Sequence, residues 1–273
     1  MRYLNIACYC VDFENYEFLQ EILQRTAFAK TGAELSMFSD RPDYMERLLA
    51  QRKRFASCPV TFHGPYMEVE ATAAPGSGQY RQIKEAYEMA FDVYEKFEAR
   101  SIVMHTNQRK IVPDSKEILQ KNAVGVIREI AERAGERGVN LLVENVGEHM
   151  DGNLLFEEQE FVELFQKLPE SAGCLLDIGH AILNGWDLDR VIRKLGGRIR
   201  SYHLHNNDGS GDIHRPLFEQ GMLLDESKLK HLFQVMEQET PEADWILEYA
   251  PGNHISAQLM EQEVRHLQRL LEK

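Results

Sequence analysis

Six ionisable side chains in this 273-residue chain stand at the ends of short apolar runs. Imidazole and carboxylate groups are the usual ligands of divalent transition-type metal ions. Three of the six are acids, of which Glu144 and Asp177 follow apolar runs, and buried acids are rare unless they are paired or bound to metal. The pattern therefore predicts a site for one or more divalent metal ions, with these candidate ligands: His63, His105, Glu144, Asp177, His205 and Glu248.

Three further candidates for metal or substrate binding lie in the segments that follow these runs. His180 comes three residues after Asp177 in LLDIGHA, and Asp212 and His214 are two residues apart in GSGDIHRP. The mixture of His, Asp and Glu favours Zn²⁺ or Mn²⁺, with Mg²⁺ and Co²⁺ as alternatives, over Ca²⁺, which prefers oxygen ligands alone. His203 lies two residues before His205, on the same side of its strand, and is the alternative ligand there.

The positioning elements are eight short apolar runs that alternate with eight helix-period stretches. Short runs of this kind suit parallel strands buried on both faces. Alternating βα units predict a single (β/α)₈ barrel domain over residues 1–273, whose active site forms where the carboxyl ends of the strands meet. A doubly wound sheet is the alternative, but the first run is followed by CYCVDFENYEF, which has no glycine for a dinucleotide-binding turn. The predicted strands are Tyr3–Cys8, Glu34–Phe38, Val60–His63, Ser101–His105, Asn140–Glu144, Gly173–Asp177, Arg200–His205 and Trp245–Glu248.

Composition narrows the classes of partner. The net charge of −13 disfavours nucleic acid, because phosphate binding usually needs a surplus of Lys and Arg on one face. No apolar run approaches the roughly 20 residues that span a bilayer, and the first ten residues lack the layout of a signal peptide. We expect a cytoplasmic protein without a membrane partner, and a homo-oligomer is compatible with the sequence.

Several motifs resemble the successive signatures of the xylose isomerase-like barrel superfamily, in the right order from about His63 to Glu248. They are FHGPY, VMHT, LLVENV, LLDIGHA, YHLHNNDGSGDIHRP and ILEY. That superfamily includes sugar and sugar-phosphate isomerases and epimerases, and apurinic endonucleases of the endonuclease IV type. The resemblance thus implies a barrel enzyme that depends on divalent metal.

The two branches imply different uses of the same residues. The isomerase and epimerase branch implies one metal held by Glu144, Asp177, His205 and Glu248, with the two glutamates as the acid–base pair. The nuclease branch implies three metals and a multi-metal phosphodiesterase, with nine ligands: His63, His105, Glu144, Asp177, His180, His205, Asp212, His214 and Glu248.

Charge and the first loop favour the isomerase branch. The nuclease branch usually opens with a strand leading into a loop of small residues, whereas IACYCVDFENY is acidic and aromatic. Tyr66 matches a tyrosine that nucleases place against DNA, but an aromatic side chain beside a sugar pocket is equally typical of isomerases. We expect a small sugar, sugar phosphate or polyol as substrate, bound in part by Tyr66.

Overall fold

Eight parallel strands close into a barrel in a computed structural model that describes residues 2–272. Each strand pairs with its neighbours in the sequence, and β1 also pairs with β8. Strands buried on both faces explain the nearly continuous apolar runs. The predicted (β/α)₈ barrel is confirmed, and its strands are β1 (Leu4–Ala7), β2 (Thr31–Ser36), β3 (Val60–His63), β4 (Ile102–His105), β5 (Leu141–Glu144), β6 (Gly173–Asp177), β7 (Ile199–Leu204) and β8 (Asp244–Leu247).

Most of the α-helices of residues 2–272 begin at a polar side chain that caps their first turn, whereas α2 and α4 have no such cap. Asn15, Ser77, Asp187, Asp225 and Ser256 each accept a hydrogen bond from a backbone N–H in the turn that follows. No helix among these residues is both long enough and apolar enough to cross a lipid bilayer. The helices are α1 (Tyr16–Arg25), α2 (Pro42–Ala50), α3 (Gly78–Phe97), α4 (Lys116–Glu136), α5 (Glu158–Lys167), α6 (Ile178–Leu183), α7 (Leu188–Leu195), α8 (Glu226–Glu239) and α9 (Ala257–Leu271).

Strand β2 begins three residues earlier than predicted and ends two residues earlier. Its first half contains Gly32, where a Cβ atom would lie 2.4 Å from Asn5 Oδ1 and 2.5 Å from the Pro59 carbonyl oxygen. Only glycine fits between these neighbours, so the start of the strand lacks the apolar residues that marked the other strands.

Helix α6 was not predicted as a separate element. It has six residues, too few to display a helical period, and it starts directly after β6. Asp177 is its N-cap, because the carboxylate accepts a hydrogen bond of 2.7 Å from the backbone N–H of His180. The cap places His180 on the first turn of α6, beside the strand that supplies Asp177.

Candidate metal and active site

The predicted ligands gather at the carboxyl end of the barrel. His63, His105, Glu144 and Asp177 are the last residues of β3 to β6, while His205 and Glu248 lie one residue beyond β7 and β8. A cavity of about 170 Å³ opens there. Its lining consists of Tyr9, Phe13, Ser36, His63, Tyr66, His105, Glu144, His180, Asp212, His214 and Glu248.

His63, His105 and Glu144 form the first group of potential ligands. The two imidazole Nε2 atoms face each other at 3.0 Å, and Glu144 Oε2 lies 3.1 Å from His105 Nε2. His63 Nδ1 lies 3.2 Å from the Gly64 carbonyl oxygen and donates to it, which leaves Nε2 as an acceptor. Burial, together with His105, lowers the pKa of His63 to about 3, so this ring is neutral and suited to bind a cation.

Asp177, His205 and Glu248 form the second group. His205 Nε2 lies 3.0 Å from both carboxylate oxygens of Asp177. Burial raises the pKa of Asp177, but His180 and His205 outweigh it and hold that pKa well below its usual range. The ring of His205 fits only because residue 179 is glycine: a Cβ there would lie 2.0 Å from His205 Cε1.

His180, Asp212 and His214 form a third group at the edge of the cavity. Asp212 Oδ2 lies 3.0 Å from the Nε2 atoms of both histidines. Each histidine donates its other ring N–H to a backbone carbonyl oxygen, of Asn145 at 2.8 Å and of Glu248 at 3.0 Å. Such backbone partners fix the ring orientation of metal-binding histidines.

This donor set fits divalent metal. Within residues 2–272, His205 Nδ1 is buried without a hydrogen-bond partner, and unpaired buried polar atoms are costly. Three of the four ligands predicted for a single ion, Asp177, His205 and Glu248, lie in one group. The fourth, Glu144, belongs to the first group and to another group with Asp177 and His203. The single-ion set stays a prediction.

His203 lies deeper than His205 and is fully buried. Both of its nitrogens face carboxylates: Nε2 lies 3.0 Å from Glu34 Oε1, and Nδ1 lies 3.1 Å from Glu144 Oε1 and 3.2 Å from Glu248 Oε2. Sequence reasoning missed Glu34, although an acid within a predicted strand was a usable signal. His203 therefore contacts carboxylates through both ring nitrogens, whereas His205 lies beside Asp177.

Aromatic side chains form one wall of the cavity. Tyr66 lies 4.9 Å from His63 and 5.3 Å from His105 between ring centroids, and Tyr9 lies 5.5 Å from His214. Phe13 has a φ of 47°, in the left-handed region that residues other than glycine rarely adopt. Tyr9 and Phe13 were not singled out from the sequence, although their aromatic loop was noted; Tyr66 as a substrate-binding residue stays a prediction.

Comparisons with known proteins agree with this architecture. A family model described as xylose isomerase-like TIM barrel matches residues 26–270. The fold is similar to that of a D-tagatose 3-epimerase-like protein, at 17% identity over 100% of this chain and 97% of the other, with a TM-score of 0.74. It is also similar to the IolI protein solved with a zinc atom, at 17% identity, 97% and 96% coverage and a TM-score of 0.73. An AP endonuclease of family 2 from Brucella melitensis has 15% identity, 98% and 99% coverage and a TM-score of 0.71. No curated protein matches the chain at a significant level.

Proposed function

Since the chain belongs to the xylose isomerase-like TIM barrel family, as its motifs predicted, we propose that it is a divalent-metal-dependent isomerase or epimerase of a small sugar, sugar phosphate or polyol. One observation carries the proposal. Glu144 and Glu248, supplied by β5 and by the residue after β8, both line a cavity of about 170 Å³ next to candidate metal ligands. Two carboxylates beside a metal suit proton transfer next to a carbonyl.

The environments of the two glutamates differ in the way that acid–base chemistry needs. With no cation bound beside it, burial raises the pKa of Glu248 to about 7. Burial acts on Glu144 too, but His203 and His105 outweigh it and keep its pKa well below the usual range. Pairs of carboxyl groups with separated pKa values commonly divide the acid and base roles. We assign removal of the substrate proton to Glu144 and donation of a proton to Glu248.

A divalent metal would supply Lewis-acid stabilisation of the negative charge that develops on the substrate oxygen. Asp177 and His205 would hold it together with Glu144 and Glu248. Tyr66, Tyr9 and Phe13 would lie against the carbon skeleton of the substrate in this cavity. The net charge of −13 also supports an uncharged or metal-associated substrate over DNA.

A multi-metal phosphodiesterase is the second candidate, because the first and third ligand groups lie beside the second. His63 and His105 with Glu144, and His180 with Asp212 and His214, have spacings that could complete further metal sites. Metals about 3.5–4 Å apart would clamp the attacking and leaving oxygens of a phosphodiester. Anomalous scattering from zinc-loaded crystals separates the candidates, since one ion supports the isomerase and two or three support the phosphodiesterase.

Proton exchange in deuterated water tests the proposed function. We expect metal-loaded native protein to place deuterium next to the carbonyl of at least one candidate ketose, and Glu248→Gln to lose about 10²–10⁴-fold in that rate. Asp244→Asn is the matched control, because Asp244 is a buried acid at the opposite end of β8, where Arg100 and the Tyr3 N–H bind it. If no ketose exchanges and the protein instead cleaves abasic-site DNA in a chelator-sensitive way, the phosphodiesterase replaces the isomerase.

A further inference from the structure

Glu34 and His203 form a buried pair beneath the cavity that the proposed reaction does not use. Their exposed fractions are 1% and 0%, and neither side chain lines the cavity. They come from β2 and β7, and His203 Nε2 lies 3.0 Å from Glu34 Oε1. Carboxylate and imidazole are costly to bury, and they are kept in protein interiors only when hydrogen-bonded.

The Glu34 carboxylate is held on its far side as well. Its Oε2 accepts a hydrogen bond of 3.4 Å from Thr61 Oγ1, which in turn accepts one of 3.2 Å from Asn5 Nδ2. Thr61 and Asn5 are fully buried on β3 and β1. Both oxygens of Glu34 thus have partners fixed by the barrel strands, and the carboxylate holds the ring of His203 in one orientation.

The other nitrogen of His203 faces the two glutamates that we assign to proton transfer. Nδ1 lies 3.1 Å from Glu144 Oε1 and 3.2 Å from Glu248 Oε2. A donor shared between two carboxylates draws them together against their mutual repulsion, which is strong in a buried site. This one nitrogen therefore lies between the carboxylates of Glu144 and Glu248.

We propose that Glu34 and His203 are a positioning pair: Glu34 fixes the imidazole, and His203 Nδ1 holds Glu144 and Glu248 at the spacing that metal binding and proton transfer need. The catalytic part of this inference rests on the proposed function. The structural part, that the pair orients two metal-ligating carboxylates, does not depend on any substrate.

Substitutions at Glu34 separate positioning from mere packing. We expect Glu34→Ala to lower zinc affinity, measured by competition with a chelator, by about 10–100-fold, as for other residues that orient metal ligands. Glu34→Gln keeps an oxygen that can accept from His203 Nε2–H, and we expect it to recover most of the affinity. Asp244→Asn, which alters a buried acid at the other end of the barrel, should stay within about twofold of native.

Nitrogen NMR of the histidine rings gives a readout without substrate or metal. In the native protein and in Glu34→Gln, we expect an exchange-protected ring N–H signal from His203, assigned by its loss in His203→Asn. In Glu34→Ala that signal should broaden or exchange. With a ketose that reacts, Glu34→Ala should lower kcat by about 10–100-fold and leave KM nearly unchanged.

Two results would overturn the inference. One is a folded Glu34→Ala whose zinc affinity and His203 ring signals match those of native protein. The other is an anomalous peak for zinc between Glu34, His203 and Glu248, whose ligand atoms lie within 4.8 Å of one another, since the pair would then be ligands themselves. If the native protein exchanges no sugar proton, the proposed function fails. The zinc-affinity and NMR measurements still test the positioning role, because they need no substrate.

Discussion

At the residue scale, the candidate site requires a glycine at position 179 as well as its predicted ligands. Gly179 lies on α6, two residues after Asp177, and the ring of His205 packs directly over it. The same ring stacks on that of His214, with centroids 3.7 Å apart. A methyl group at position 179 would occupy the space that brings His205 to Asp177.

We therefore expect Gly179→Ala to displace the His205 ring, to reduce zinc affinity at least tenfold and to destabilise the fold by about 1–3 kcal/mol through overpacking. Gly125→Ala is the matched control, because Gly125 lies in α4 and a Cβ atom added there would meet no neighbouring atom within 4 Å. It should gain about 0.5–1 kcal/mol, since alanine loses less entropy than glycine in a helix. Zinc titration and urea unfolding measure both, and native-like zinc affinity in Gly179→Ala would refute this packing argument.

At the element scale, α9 anchors the loops that surround the site. Glu263 on α9 is buried and accepts hydrogen bonds from the Tyr249 hydroxyl at 2.9 Å and the Leu217 N–H at 3.1 Å. Tyr249 follows Glu248, and Leu217 follows the segment that carries Asp212 and His214. Burial raises the pKa of Glu263 to about 7, although the bond from Tyr249 acts in the opposite direction.

This anchor makes stability depend on pH. Between about pH 4.5 and 7 the folded protein holds the Glu263 proton and the unfolded chain does not, so this contribution is full at low pH and is lost as pH rises through 7. Glu263→Gln has no titratable carboxyl and so lacks this pH-dependent contribution. As pH rises, the unfolding free energy of the native protein minus that of the variant should therefore fall, by up to about 1.4 kcal/mol per unit of pKa shift. Urea unfolding at pH 5 and 8 measures the difference. Glu132→Gln, at an exposed position of α4, is the control and should show no such dependence on pH. The same absence of pH dependence in Glu263→Gln would contradict the role given to Glu263.

At the scale of the whole molecule, barrel closure concentrates buried acids at one end. Glu34, Glu144, Asp177 and Glu248 are all at most 6% exposed, in a chain whose net charge is −13. Histidines offset part of this charge, and a bound cation would offset more. Because such an ion would bind the folded state and not the unfolded chain, its binding would stabilise the entire barrel.

We expect zinc at 100 times its dissociation constant to stabilise the protein by about 2.7 kcal/mol. For a chain of this size, that corresponds to a rise in Tm of roughly 5–10 °C. Differential scanning calorimetry with zinc, and again after a chelator, measures the effect. Asp177→Ala should abolish the rise, and an equal rise in that variant would show that zinc binds elsewhere.

The sequence by itself determined the barrel and the residues at its mouth. Apolar runs alternating with helix-period stretches are local patterns, and parallel strands must place their carboxyl ends at one face. Six ligand-type residues at those ends, from His63 to Glu248, could therefore be predicted from the order of residues alone. Membership of the family followed from the same motifs.

Only the tertiary structure decided how those side chains group. Alternation along β7 predicted that His203 and His205 point to one side, but not that His203 lies deeper, against Glu34 from the far side of the barrel. Likewise, Gly32 and Gly179 act through close contacts with residues distant in sequence. Depth within the barrel and contact across it depend on strand register and loop closure, which involve many residues at once. No local pattern encodes them, and so the division between metal ligands and the residues that orient them appeared only in three dimensions.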